Sequence, residues 1–230
     1  RLLESASVYK AFLDQNLMWI PSAAIIGTGT WQDAGPALGW ILSPAQWSQT
    51  IIITVDSLRE HIALAIFCGL LLILLIATRR PLAAAHHSMS QRVGKLSTDN
   101  IGLTLASLGI AALRALPLPL ALVVVGWLLQ DSAVQTSFSQ AVAIGVFALA
   151  PFLYNVLSFR VLCAKQGVAR VHFGWRDDSL AIVRKLLDRL AVVGSPLVFV
   201  TVLFYSSGVA GDRATLGRLA YLALMVLFSL

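Results

Sequence analysis

The stretch from Ile62 to Thr78, IALAIFCGLLLILLIAT, carries no charge and is closed by Arg79, Arg80 and Pro81. A helix needs about 20 apolar residues to cross the roughly 30 Å hydrocarbon core of a bilayer. Soluble domains also bury apolar helices, but they cover their surface with about 25% charged residues. Here only 12% of the 230 residues are charged and 58% are hydrophobic, so the chain reads as a membrane protein. Further spans are predicted over Leu103 to Leu129, Phe138 to Phe159 and Leu190 to about Ser207. A fifth begins at Leu219 and meets Leu230 inside LAYLALMVLFSL, too short to cross, so the chain is expected to be an internal piece of a longer polypeptide. The runs lack the two-residue alternation of a membrane barrel. The expected fold is all-α: a polytopic helical membrane protein with about five transmembrane helices and interfacial amphipathic helices. Residues 1–60 form an extracytoplasmic, interfacial segment and residues 61–230 the transmembrane domain.

The net charge of +6 comes from 17 Lys plus Arg against 11 Asp plus Glu. In a soluble protein such an excess raises the question of nucleic acid; in a membrane protein it sits in cytoplasmic loops, and no nucleic-acid partner is expected. Its distribution supports that reading. Arg79, Arg80, Arg92 and Lys95 fall in one loop, and Arg160, Lys165, Arg170, Arg176, Arg184, Lys185 and Arg189 in another, whereas Gln130 to Ser137 has no basic residue. Those two basic loops are therefore cytoplasmic and the N-terminal side lies outside.

Two regions stand apart from the spans. In the first 60 residues, LMWIPSAAIIGTG is too short and interrupted to cross, and Trp19, Trp31, Trp40 and Trp47 recur. Tryptophan favours the headgroup level, which places this stretch against the outer leaflet. SPAQW then reads as a helix start, with Ser43 as N-cap, Pro44 in the first turn and Gln46 completing a capping box. Trp47, Ile51, Val55 and Leu58 share one face of that helix, an amphipathic connector in preference to a dedicated lipid sensor. In the second region Leu180, Val183, Leu186, Leu187 and Leu190 make an apolar stripe, opposite Arg184, Lys185, Asp188 and Arg189. Such a helix lies in the interface plane. Asp177 and Asp178 favour its N-terminus, and Phe173 and Trp175 anchor beside Arg170 and Arg176.

Catalytic chemistry has little to build on. His86 and His87 point about 100 degrees apart on a helix, and read as solvated loop residues. His172 with Asp177 and Asp178 matches no metal-ligand spacing, and Cys68 and Cys163 have no partner at redox or metal spacing. There is no Walker loop, dinucleotide fingerprint or serine elbow. No catalytic, cofactor or metal residue is assigned, and the chain is not expected to be an enzyme. Arg114 is the one ionisable residue within a span; a snorkelling role is preferred to an ion pathway. Pro117, Pro119, Pro151 and Pro196 are expected to kink their helices, and Ala141, Gly145 and Ala148 give the third span a small-residue packing face.

The landmarks LMWIPSA, LSPAQW, RVGKLSTDNIGLTLASL, ALPLPLALVVVGWLL, ARVHFGW and LGRLAYLALM resemble, in sequence and order, the inner-membrane domain of large MscS-like mechanosensitive channels, the MscK and MscM type of Gram-negative bacteria. The resemblance implies an accessory transmembrane domain in the bacterial inner membrane, N-terminal side periplasmic, with the pore beyond Leu230. It further implies a homo-oligomer, a heptamer, in the lipid bilayer that opens under tension and releases ions and solutes on hypo-osmotic shock. Trp19, Trp47, Trp175, Arg176, Leu180, Val183 and Leu187 would then serve membrane anchoring and tension coupling. The competing reading is a polytopic scaffold or half of a secondary transporter.

Overall fold

The computed structural model describes residues 28–90, 101–164, 167–171, 173–207 and 214–229, a few of them by backbone alone. Among them there is no strand. In chain order the helices are α1 (Thr28–Ile41), α2 (Pro44–Glu60), α3 (Ile62–Ala77), α4 (Arg79–Ser90), α5 (Ile101–Ala115), α6 (Pro117–Asp131), α7 (Ser137–Leu162), α8 (Val168–Val171), α9 (Asp177–Arg189), α10 (Ser195–Ser206) and α11 (Ala214–Ser229), with a π turn over Leu190–Gly194.

Among the described residues three helices are long and apolar enough to cross a bilayer: Ile62–Ala84, Ser137–Leu162 and Asp177–Ser206. A fourth crossing is supplied if Thr104–Ala115 and Pro117–Asp131, bent by 49°, count as one, and Leu216–Ser229 is a shorter apolar helix. The apolar stretch does not stop at Pro81 as its position after two arginines suggests. A proline in the first turn of α4 gives up an N–H that the helix start does not need. Leu82 N–H still donates to the Thr78 carbonyl at 2.9 Å, so α3 runs on into α4.

α7 is the centre of the bundle, packed against α5, α6 and α10. It starts with a capping box: Thr136 Oγ1 accepts from Ser139 N–H at 3.0 Å while Ser139 Oγ accepts from Thr136 N–H at 2.9 Å. Small residues then let neighbours close in. A Cβ on Gly145 would lie 3.0 Å from the Phe199 ring of α10, and one on Gly126 of α6 would lie 3.3 Å from Phe147. Ala141 is wholly enclosed and Ala148 half-buried on the same helix.

Two apolar cores occupy opposite ends of α7. At its start Phe138 is fully enclosed among Trp40, Ile53, Leu129, Leu203 and Phe204. At its end Val156 and Cys163 meet Ala169, Leu180, Leu187 and Leu190. Gly217 approaches Phe204 and Leu227 approaches Gly194, so α11 runs antiparallel to α10.

The prolines stand in different settings. Pro117 opens α6 immediately after the 49° bend, with Pro119 in the same turn, both buried. Pro151 sits inside α7, which continues past it. Pro196 follows the π turn, where Ser195 N–H donates to the Leu190 carbonyl and Ser195 Oγ donates to the Ala191 carbonyl at 2.7 Å. The wider turn accommodates a residue without an N–H, and the serine hydroxyl satisfies a carbonyl that lost its amide partner. As a result α9 and α10 form one continuous helix of 30 residues. The amphipathic segment is helical from Asp177 as expected, but it extends the following crossing and is no separate in-plane helix. Nothing between Arg189 and Ser195 breaks the chain, since all the caps there hold right-handed helical angles.

Candidate functional site

Four arginines from separate elements converge at one end of the bundle. Arg79 opens α4, Arg114 stands just before the α5 to α6 bend, Arg160 lies in the last turn of α7 and Arg184 is in mid α9. With Asp188 and an apolar wall of Leu157 and Val161 they line a cleft of about 460 Å³. Arg160 Nε pairs with Asp188 Oδ1 at 2.5 Å, tying α7 to α9. Arg184 Nε donates to the Leu180 carbonyl at 3.2 Å, which fixes the start of its guanidinium. Behind the cleft Cys163 is buried; burial pushes its thiol above the usual range, and the Arg184 charge opposes this only in part.

Glycines shape the adjoining loop. A Cβ on Gly167 would meet the Leu162 carbonyl oxygen at 2.1 Å, so only glycine closes the turn after α7. Gly174 takes φ +63°, and around it Phe173, Gly174 and Trp175 donate their N–H groups to Val168, Arg170 and Ala169. Arg170 Nη2 pairs with Asp177 at 2.8 Å, locking the turn to the first turn of α9. Phe173 and Trp175 are consequently held outward, Trp175 at 49% exposure.

The opposite end is pinned by a second polar contact. His61 joins α2 to α3, and its Nε2 lies 3.1 Å from Asp131 Oδ2 at the end of α6. Its Nδ1 is 3.1 Å from the Ser57 carbonyl and its ring stands edge-on to Trp127 at 5.1 Å. From His61 to Arg79, and from Arg114 to Asp131, each helix rises about 26 Å at 1.5 Å per residue. The pair is antiparallel, tied at the His61–Asp131 end, and its length is close to the thickness of a bilayer core. Arg114 lines one cleft with Arg79 and Arg160, at the bend between α5 and α6.

The structure distributes the residues singled out in the sequence. Arg176 is exposed and 3.6 Å from Asp178, close to Trp175. Leu180, 1% exposed, and Leu187 are buried against α7, with Val183 half-buried beside them, so this face packs within the protein. Trp47 is half-buried as well: its indole donates to the Ile41 carbonyl at 2.6 Å and stands edge-on to Phe138, so it packs within the protein. Ser43 does precede α2, but its side chain makes no capping bond. Trp19, His172 and the side chains of Trp31, His86 and His87 lie outside the described residues. The convergence of Arg79, Arg114, Arg160 and Arg184, and the His61–Asp131 contact, were not read from sequence. Part of their signal was present, since Arg79 and Arg160 close apolar runs and Arg114 interrupts another.

Over residues 62–230 the chain matches the family described as mechanosensitive ion channel inner membrane domain 1. It belongs to that family. It is also 28% identical, over 151 residues, to the miniconductance mechanosensitive channel MscM of Escherichia coli (strain K12). That similarity covers 64% of this chain and 13% of the relative. No solved structure matches it. As an inner membrane domain of the MscS-like family, the bundle keeps its apolar surface outward: α3 has no buried residue, and Ile66, Leu70 and Ile73 all project from it.

Proposed function

We propose that this chain is an accessory, non-pore membrane domain of a mechanosensitive channel that opens under bilayer tension and releases ions and solutes on hypo-osmotic shock. The whole protein works as a ring of copies in the bacterial inner membrane, a heptamer, with the arginine end cytoplasmic and the N-terminal side periplasmic. Family membership and the similarity to MscM support the channel role. The gathering of arginines at one end supports the orientation, since basic ends are retained in the cytoplasm.

The observation that carries the reading is α3, a crossing helix with no buried residue, attached mainly along α6. Such a helix presents most of its circumference to lipid. Tension favours whichever state occupies more membrane area, and an equilibrium moves only by the difference between its two states. A peripheral helix that changes tilt or lipid contact supplies such a difference, and the α7-centred bundle supplies the rigid body that passes it on.

Patch-clamp recording of the full-length channel in native membrane patches tests this. Leu70→Asn or Ile73→Asn weakens lipid contact on α3 without touching either core. The expected result is a shifted tension threshold with unchanged unitary conductance. An unshifted threshold at normal membrane abundance refutes a tension role for α3, and a changed conductance refutes its placement outside the pore.

A further inference from the structure

We propose that the cleft between Arg79, Arg114, Arg160 and Arg184 binds the phosphate group of an anionic membrane lipid, whose acyl chain lies along Leu157 and Val161. Four guanidiniums face one cleft, and among the described residues its single carboxylate, Asp188, is taken by Arg160. Among the described residues Arg79, Arg114 and Arg184 have no other carboxylate in the cleft. Like charges gathered in a concave site beside apolar helices repel one another and raise the local concentration of anions.

The chemistry of the donors selects the anion. Guanidinium forks match the oxygens of a phosphate, in one or two parallel pairs. The position selects its source. The cleft lies at the ends of two helices that rise about 26 Å from the His61–Asp131 contact, the depth at which one leaflet's headgroup phosphates sit. The lining is divided in the way a lipid is divided, with charge on one wall and Leu157 and Val161 on the other. Arg114 and Arg184 are half-buried, and Arg184 is held by the Leu180 carbonyl, so part of the site is in place before the ligand arrives. With more positive than negative groups around the cleft, a headgroup bearing two negative charges is favoured over one bearing a single charge.

The test uses the full-length channel in nanodiscs of zwitterionic lipid doped with a small fraction of cardiolipin, phosphatidic acid or phosphatidylglycerol. Retained lipid is counted by native mass spectrometry. Wild type should retain cardiolipin or phosphatidic acid above phosphatidylglycerol, and Arg114→Gln with Arg184→Gln should lower retention by about tenfold or more. Arg176→Gln, outside the cleft, should leave it unchanged. Arg114→Lys keeps the charge without the fork and should fall between, which guards against a glutamine variant that fails to fold. Equal retention in wild type and variants overturns the proposal. Stabilisation by inorganic phosphate with no lipid retained also overturns it, because the site would then serve a free anion. None of these readouts depends on gating, so the outcome is separable from that of the tension experiment.

Discussion

Replacing Phe138 by alanine tests whether α1 and α2 are fastened to the bundle or merely adjacent to it. The ring has no exposure and stands edge-on to Trp40 at 4.9 Å and to Trp47 at 5.2 Å, so one residue of α7 holds a tryptophan just before and one just after the α1 to α2 junction. Each aromatic pair is worth about 0.5–1.5 kcal/mol beyond area, giving about 1–3 kcal/mol for both. The void left by the ring adds to this, and enclosed Phe→Ala changes cost about 3–5 kcal/mol in water-soluble cores. At a membrane boundary the alternative environment is partly lipid, so the lower end applies, about 3 kcal/mol. For a chain of this size that lowers the midpoint of unfolding by about 6–12 °C. Phe138→Leu keeps most of the volume and should lose only the pair contribution. The assay is thermal unfolding in detergent micelles together with amide hydrogen exchange. Exchange should accelerate in α1 and α2 while α9, in the other core, is unaffected. Unchanged protection of α1 and α2 in Phe138→Ala would refute the reasoning, whatever the midpoint does.

The remaining predictions concern the arginine end. Because burial raises the Cys163 thiol, a neutral maleimide should label it slowly in the native protein, with the labelling rate rising at higher pH than in the denatured chain. The sign follows from linkage: the fold favours the neutral thiol, so its contribution is complete below the ordinary thiol value and is lost as pH rises toward the raised one. Equal pH profiles for native and denatured protein would contradict this. Ser195→Ala should cost about 1 kcal/mol by leaving the Ala191 carbonyl without its hydroxyl donor, whereas Ser195→Thr should restore it. Matching unfolding midpoints for Ser195→Ala and wild type would show that the π turn needs no such bond.

The crossings were legible because apolar length and flanking arginines are local properties of the sequence. What depended on three-dimensional placement was not. Arg114 looks isolated when Leu103 to Leu129 is taken as one rod, yet it stands at a 49° bend and shares a cleft with Arg79. The proline pair signalled that bend, but a sequence does not say how far a helix turns there. The segment from Asp177 carried the pattern of an in-plane helix, and the pattern describes its two sides correctly: Leu180 and Leu187 pack inward while Lys185 and Arg189 are exposed. Its direction was the error, because the π turn before Pro196 preserves the helix where a proline suggests a corner. The capping box was expected at Ser43 and formed instead at Thr136, whose partner Ser139 is not the Glu or Gln of the usual motif.

A deeper reason lies in the solvent. In water, an apolar stripe on a helix reports its buried side, and that rule placed Trp47, Ile51, Val55 and Leu58 of α2 on a single functional face. The structure buries Thr50, Ile53 and Ser57 of that helix and turns Ile51 and Val55 outward. Lipid chains are as apolar as leucine, so burial in a membrane protein follows closeness of approach and not hydrophobicity. Small and hydroxyl-bearing residues therefore mark the packed side, as they do along α7 at Ala141, Gly145 and Ala150. By the same criterion α3 packs loosely: its small residues Ala65, Cys68 and Gly69 are only half-buried, and the space beside Gly69 is open. Replacing the large residues on that side, Leu72 above all, by alanine should therefore draw α3 closer to α6, reducing the lipid contact on which tension sensing is proposed to depend.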